Sequence, residues 1–126
     1  MNTEQTSYSA ILGVVLASLR KERFMEQGEM AERMGLSQAS YSRLESGKSS
    51  FSVDQMFQAA SALDISAEEL NKRLNGTITQ LESNQVKVVP QLRGNTILAK
   101  EGGNEMGHLL AGAALGALLI GLLSKK

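Results

Sequence analysis

The chain of 126 residues contains no cysteine, no tryptophan, one proline and one histidine. Without cysteine the protein has neither a disulfide framework nor thiolate ligands for a metal ion. The single histidine, His108, cannot form a metal cluster by itself, and no catalytic Ser/His/Asp or Cys/His arrangement is visible. The sequence therefore predicts a protein that is not an enzyme and that holds no metal and no other cofactor.

Residues 27–48 have the pattern of two short helices joined by a tight turn. Met30, Ala31 and Met34 have the spacing that gives a helix one buried side. Gly35 follows the last of them, where a glycine can adopt the left-handed conformation that ends a helix. Ser37 is then placed to accept a hydrogen bond from the first turn of the second helix.

In the second helix, Tyr41 and Leu44 fall on one side and are expected to face the core. Gln38, Ala39 and Ser40 are thereby left at the exposed N-terminal end. A helix end with short polar side chains has the shape needed to enter the major groove of DNA.

This segment resembles the DNA-binding domain of the lambda-repressor and Cro family of bacterial and phage regulators, also called the XRE family. The resemblance covers residues 8–74. The residues that carry it are Gln27, Ala31, Gly35, Ser37, Gln38, Leu44, Glu45, Gly47 and Lys48. An ordinary antiparallel helix pair with a glycine turn would explain the apolar spacing, but not the clustering of Gln27, Gln38 and Arg43.

The remaining apolar spacing predicts an all-α domain of five helices at residues 8–75. The first helix is expected at residues 9–23. Ser52 is placed to cap a fourth helix, with Val53 and Phe57 among its inward residues. Ser66, with an acidic residue three positions later, is placed to cap a fifth helix that carries Leu70.

Groove chemistry suggests roles for the second helix of the pair. Gln38 has the side chain that bridges the donor and acceptor of adenine, and Arg43 can reach guanine or the backbone. Ala39 and Ser40 would contact a thymine methyl group or a base edge. Ser37 belongs to the same DNA-binding set, and Lys48 could meet a phosphate, although a solvated loop charge is the plainer interpretation.

Two further roles are implied only by the family resemblance. Gln27 is expected to touch a phosphate beside Gln38, with both its side chain and the start of its helix. Arg20, near the end of the first helix, is expected to pair with Glu45. Proteins of this fold commonly bind inverted half-sites as dimers, so a homodimer on double-stranded DNA is expected.

The charge balance argues against strong non-specific DNA binding. Residues 1–75 carry eight Lys and Arg against ten Asp and Glu. Because non-specific affinity scales with the phosphates that a protein neutralises, binding should depend on local basic groups and base contacts. The polar N-terminus has no secretory signal, which predicts a cytoplasmic location for the DNA-binding half.

The C-terminal part divides into a polar linker at residues 76–105 and a hydrophobic helix at residues 106–124. The linker contains two β-prone runs, 86–89 and 96–99, which could form a short hairpin limited to a sheet edge by Pro90. Leu109 and Leu123 bound fifteen residues without one polar side chain. A helix there has a leucine side and a small-residue side but no polar side, and is expected to be buried all round.

Two kinds of burial fit such a tail. About 22 to 27 Å of helix is short of a bilayer core of about 30 Å but does not exclude membrane insertion. The alternative is self-association in a helical assembly. The membrane interpretation is preferred, because a water-soluble bundle usually keeps a polar outer stripe.

The sequence as a whole predicts a sequence-specific DNA-binding regulator, most simply a dimeric repressor, whose C-terminal helix tethers it to the inner membrane or oligomerises it. The alternative is an antitoxin-like or adaptor protein whose helical domain mainly binds a protein partner.

Overall fold

The computed structural model describes residues 4–90 and 109–124. This part of the chain is mostly helical, as predicted, with three short strands added. The elements in chain order are β1 (Gln5–Ser7), α1 (Tyr8–Glu22), α2 (Gln27–Met34), α3 (Gln38–Glu45), α4 (Val53–Ala62), α5 (Ala67–Ser83), β2 (Lys87–Val89), β3 (Leu109–Leu110) and α6 (Gly112–Ser124).

Serine caps define where four of the helices begin. The hydroxyl groups of Ser7, Ser37, Ser52 and Ser66 each accept a hydrogen bond from the backbone N–H three residues later. A cap of this kind satisfies an N–H group that has no partner within the helix. The predicted starts after Ser37, Ser52 and Ser66 agree with these positions, and α1 begins one residue earlier than predicted.

Helix α1 lies at the centre of the fold and packs against α3, α5 and α6. Its buried residues include Ile11, Leu16 and Leu19, none of which is exposed to solvent. Helix α2 packs against α3 and α4. A core built around one central helix fixes the end of α3 from several directions.

Helix α4 turns its predicted inward residues Met56 and Ala60 to the core, but two other residues predicted to face inward are exposed. Val53 is 71% exposed and Phe57 is 55% exposed, although both were expected to face inward. The buried residues of α4 are Ala59, Ala60 and Ala62, which lie in its C-terminal half and pack toward α2 and α5. Within residues 4–90 and 109–124, the N-terminal half of α4 therefore presents an exposed apolar surface.

Helix α5 runs to Ser83, beyond the predicted domain boundary at residue 75. It continues because Leu81 is fully buried and Ile78 packs against the same core. The first residues of the predicted linker are thus helical and belong to the packed unit.

The three strands form a parallel sheet in the order β2, β1, β3. Thr6 of β1 lies opposite Val88 on one side and Leu110 on the other, and its hydroxyl donates to the carbonyl of Leu110 at 2.7 Å. The first β-prone run of the predicted hairpin contains β2, which pairs with the N-terminal strand. The second run, 96–99, lies outside the described residues.

The tail also differs from the prediction. Leu109–Leu110 is a strand, and α6 begins at Gly112, whose φ is +56°. The leucine side of α6 packs toward α1, with Leu115 fully buried and Leu119 8% exposed. Ile120 is 69% exposed, because α6 packs as an outer layer against α1. In the single chain this helix is therefore not buried on all sides.

His108 lies outside the described residues. Among the helices of residues 4–90 and 109–124, none is both long enough and apolar enough to cross a membrane.

Candidate nucleic-acid interface

The turn between α2 and α3 has the geometry that the glycine predicted. Gly35 adopts the left-handed conformation, with φ +74° and ψ +30°. The N–H of Leu36 donates back to the carbonyl of Ala31 at 2.9 Å, which closes the end of α2. A residue with a Cβ is disfavoured at this φ, so Gly35 sets the angle at which α3 leaves α2.

Helix α3 has one buried side and one exposed side. Tyr41 is fully buried and Leu44 is 3% exposed, as predicted for core residues. Ser37, Gln38, Ala39 and Arg43 are exposed, and Ser40 is half-buried. The Ser37 hydroxyl accepts from the N–H of Ser40 at 3.1 Å. The exposed end of α3 therefore carries short polar side chains on an ordered first turn.

The starts of α2 and α3 lie beside each other. The side-chain oxygen of Gln38 is 3.5 Å from the position that a Cβ on Gly28 would occupy. Gln27, the first residue of α2, is half-buried, and its side-chain amide donates to Glu45 at 2.7 Å. The structure therefore brings Gln38 to the start of α2, while the side chain of Gln27 turns toward the interior.

The loop after α3 folds back onto the helix. The backbone N–H groups of Lys48 and Ser49 donate to the carbonyl of Arg43 at 2.9 and 3.2 Å. Gly47 makes this return with φ +84°. The exposed Lys48, in the loop after α3, is therefore held close to the C-terminal end of that helix, which carries Arg43.

A buried carboxylate holds the end of α3 against α1 and α2. Arg20 donates to Glu45 in a bidentate pair, at 2.8 Å from Nε and 2.9 Å from Nη2. The Tyr41 hydroxyl donates to the same carboxylate at 2.6 Å, and the Gln27 amide supplies a fourth hydrogen bond. Arg20 also donates to the carbonyl of Met25 at 2.8 Å. We call Arg20, Gln27, Tyr41 and Glu45 the carboxylate cluster.

The carboxylate cluster shifts the pKa values of its members. Burial would raise the pKa of Glu45, but the hydrogen bonds from Arg20, Tyr41 and Gln27 together outweigh it, so its pKa lies below the ordinary value. The pKa of Arg20 is raised chiefly by its hydrogen bond to Glu45. Burial, followed by the hydrogen bond to Glu45, raises the pKa of Tyr41. The pair therefore stays ionised while Tyr41 stays neutral at neutral pH.

Backbone contact also fixes the end of α3. A Cβ added to Gly13 of α1 would lie 2.5 Å from the carbonyl oxygen of Glu45. Gly112 approaches from the other side, since a Cβ there would be 3.1 Å from the carbonyl oxygen of Ser46. Helix α1 and the start of α6 thus both meet the backbone where α3 ends.

The predicted pair of Arg20 and Glu45 is present, and the sequence did not identify the other two members of its cluster. Tyr41 was expected only as a core residue, and Gln27 as a phosphate contact. Their signal in the sequence was weak, because each is a polar group on an otherwise ordinary helical pattern. No three His, Cys, Asp or Glu side chains converge as a metal site in the described ranges.

Comparisons with known proteins agree with this geometry. A family described as helix-turn-helix matches residues 16–70, which contain all of α2, α3 and α4. The fold is similar to a solved structure of the clp gene regulator ClgR from Corynebacterium glutamicum, with a TM-score of 0.58 and 23% identity over 62% of this chain and 83% of that one. A second ClgR structure gives a TM-score of 0.53 and 25% identity, over 56% of this chain and 92% of that one.

The restriction-modification controller protein C.AhdI from Aeromonas hydrophila is 30% identical over 48% of this chain and 92% of that one, with a TM-score of 0.46. The comparison with curated proteins gave no match.

Proposed function

Since this chain belongs to the XRE family of helix-turn-helix proteins through residues 16–70, we propose that it is a transcriptional repressor that binds inverted-repeat operators as a homodimer. Its family makes it a DNA-binding regulator and not an enzyme. The observation that carries the proposal is the arrangement of α3. Its N-terminal end is polar and exposed, whereas its C-terminal end is buried and held by the carboxylate cluster. Repression follows from occlusion of a promoter.

In this proposal α3 enters the major groove and Gln38 reads adenine. Gln38 and Arg43 are both exposed, and they lie five residues apart on α3. Arg43 then contacts a guanine or a phosphate at the far end of the helix, where its positive charge suits either partner. Ala39 and Ser40 complete the base-facing surface, and Ser37 holds its first turn.

We assign the phosphate contacts to the start of α2 and to Lys48. The first N–H groups of a helix lack partners within it and carry a partial positive charge, which favours an anion. Because one amide hydrogen of the Gln27 side chain is used by Glu45, the backbone at the start of α2 is the main contact in this proposal. Lys48 neutralises a second phosphate beside Arg43.

A homodimer is proposed because one recognition helix covers only a few base pairs, and half-sites are commonly about 34 Å apart. The exposed Val53 and Phe57 lie one turn apart on α4 and offer an apolar surface for a second copy. Phe57→Ser should lower the dimer fraction measured by analytical ultracentrifugation. Tyr8→Ser, which changes another exposed aromatic residue, is the control.

The test of the function is selection of bound fragments from genomic DNA, followed by titration of the selected operator. Gln38→Ala and Arg43→Ala should each weaken operator binding by about tenfold or more, because a bidentate base contact contributes about 1 to 3 kcal/mol. Gln58→Ala, an exposed glutamine on α4, is the matched control. Unchanged operator binding in both variants would overturn the assignment of α3 and favour an antitoxin-like role with a protein partner.

The proposed site of action is the cytoplasm, where the operator is. For α6 we propose that it completes the domain and supports self-association, since its leucine side packs toward α1. Deleting residues 105–126 and separating cytosol from membranes tests this assignment. If only the full chain sediments with membranes, the tail acts as a tether instead.

A further inference from the structure

A cleft of about 810 Å³ opens between α1, α5 and α6. Its volume lies within the range of about 300 to 1,000 Å³ that is usual for small-molecule sites. One part of its wall is apolar. The apolar side chains that line it are Val14, Val15, Ala17, Ala113, Leu119 and Ile120.

The other part of the wall is polar and includes three basic side chains. Lys21 of α1 and the neighbouring Lys72 and Arg73 of α5 line the cleft. Arg73 also lies 3.5 Å from Glu22, and its side chain is 43% exposed. Glu45 is the acidic residue that lines the cleft, and Arg20 already neutralises it. The local charge is therefore positive.

Glycine keeps the cleft open on two of its helices. Gly76 of α5 and Gly116 of α6 both line it, and a Cβ added to either would meet nothing within 4 Å. A larger side chain at either position would occupy the cleft without displacing the backbone.

We propose that this cleft binds a small amphipathic anion with one aliphatic chain and an acidic head group. The chain lies along the apolar wall, which is formed by side chains of α1 and α6 such as Val14 and Ile120. The head group contacts Lys21, Lys72 and Arg73. A neutral or cationic molecule with the same chain gains the apolar contacts but not the charge complementarity, which sets the expected specificity.

The first test is calorimetric titration of the full chain with decanoate and, separately, with decanol. Decanoate should bind at least tenfold more tightly than decanol. The double variant Lys21→Gln with Lys72→Gln removes two cations and should weaken the affinity for decanoate by about tenfold, since each exposed charge pair contributes modestly. It should leave the affinity for decanol unchanged. Lys87→Gln, on β2 and outside the cleft, is the control and should change neither affinity.

The second test fills the cleft. Gly116→Leu should abolish decanoate binding, whereas Gly121→Leu, on the same helix but away from the cleft, should not. Thermal unfolding followed by circular dichroism checks that both variants fold. The proposal would be overturned by equal affinity for decanoate and decanol, or by equal decanoate binding in the two leucine variants. It would also be overturned if only a protein dimer bound decanoate, because a second copy would then form the site. None of these readouts depends on DNA binding.

Discussion

Two helices pack against α1 in different ways, and the difference separates a fixed contact from an adjustable one. The end of α3 is held by one carboxylate that accepts four hydrogen bonds, two of them from Arg20. Helix α6 is held by leucines such as Leu115 and Leu119. Hydrogen bonds constrain both distance and angle, whereas apolar contacts are non-directional. The orientation of α3 is therefore specified more tightly than that of α6.

This contrast matches the roles that we propose for the two helices. A base-reading helix must hold its side chains in place within a fraction of an ångström, so a rigid base is useful. Helix α6 approaches the backbone beside α3 at its start, near Gly112, and lines the cleft together with α5. We expect changes at the carboxylate cluster to cost more than changes along α6.

The largest effect is expected from Glu45→Gln. This substitution leaves the buried Arg20 guanidinium without its charge partner, which should lower the free energy of unfolding by about 3 kcal/mol or more. Urea denaturation measures the loss. Glu29→Gln removes the comparable but exposed pair with Arg33 at 2.8 Å and should cost less than about 1 kcal/mol.

A double-mutant cycle then isolates the pair itself. Arg20→Met combined with Glu45→Gln should be less destabilising than the two single changes added together, because no buried charge is left alone. Strict additivity would show that the two residues do not interact and that the carboxylate cluster does not fix α3.

The next effect concerns the close approach of α1 to α3. Gly13→Ala would place a methyl group 2.5 Å from the carbonyl oxygen of Glu45, and backbone cannot move aside as a side chain can. The expected loss is about 2 kcal/mol, despite the better helix propensity of alanine. Gly76→Ala, where a Cβ meets nothing within 4 Å, is the control in the same denaturation experiment and should not destabilise.

Acid should weaken the interactions of the Glu45 carboxylate, with a smaller loss of stability than that expected for Gly13→Ala. The pKa of Glu45 is lower in the folded protein than in the unfolded chain, where it is about 4.3, so the folded state binds fewer protons. The stabilisation is full above the unfolded pKa and is lost as pH falls through the folded pKa. Between pH 5 and pH 3, wild-type stability should fall more steeply than that of Glu45→Gln. Parallel curves would contradict this.

The sequence predicted the parts of the molecule that depend on neighbouring residues. Three helices begin after a serine whose hydroxyl accepts from the N–H three residues later: Ser37, Ser52 and Ser66. Gly35 ends α2 because its own backbone adopts the left-handed conformation. These signals are local, so they can be recognised without the fold. The DNA contacts of α3 stay a prediction, because they depend on a partner.

The sheet and the tail could not be predicted in the same way. Thr6 pairs with Val88 and Leu110, and no local pattern records partners that are about a hundred residues apart. Phe57 is exposed because α2 and α5 pack against the C-terminal half of α4, and the sequence does not show where those helices lie. The apolar tail could not show that α6 packs its leucine side against α1, because that choice depends on a distant element.

The smallest effect tests whether α6 folds together with the rest of the domain. Gly116→Ala adds a methyl group that meets nothing within 4 Å, and alanine stabilises a helix interior by about 1 kcal/mol relative to glycine. If α6 unfolds in the same cooperative transition as α1, this gain should raise the midpoint of thermal unfolding by a few degrees. Gly121→Ala, only three residues before the end of α6, should give a smaller rise because helix ends fray. If Gly116→Ala raises the helical signal but leaves the midpoint unchanged, α6 is a separate appendage, and its leucine contacts with α1 add nothing to the stability of the domain.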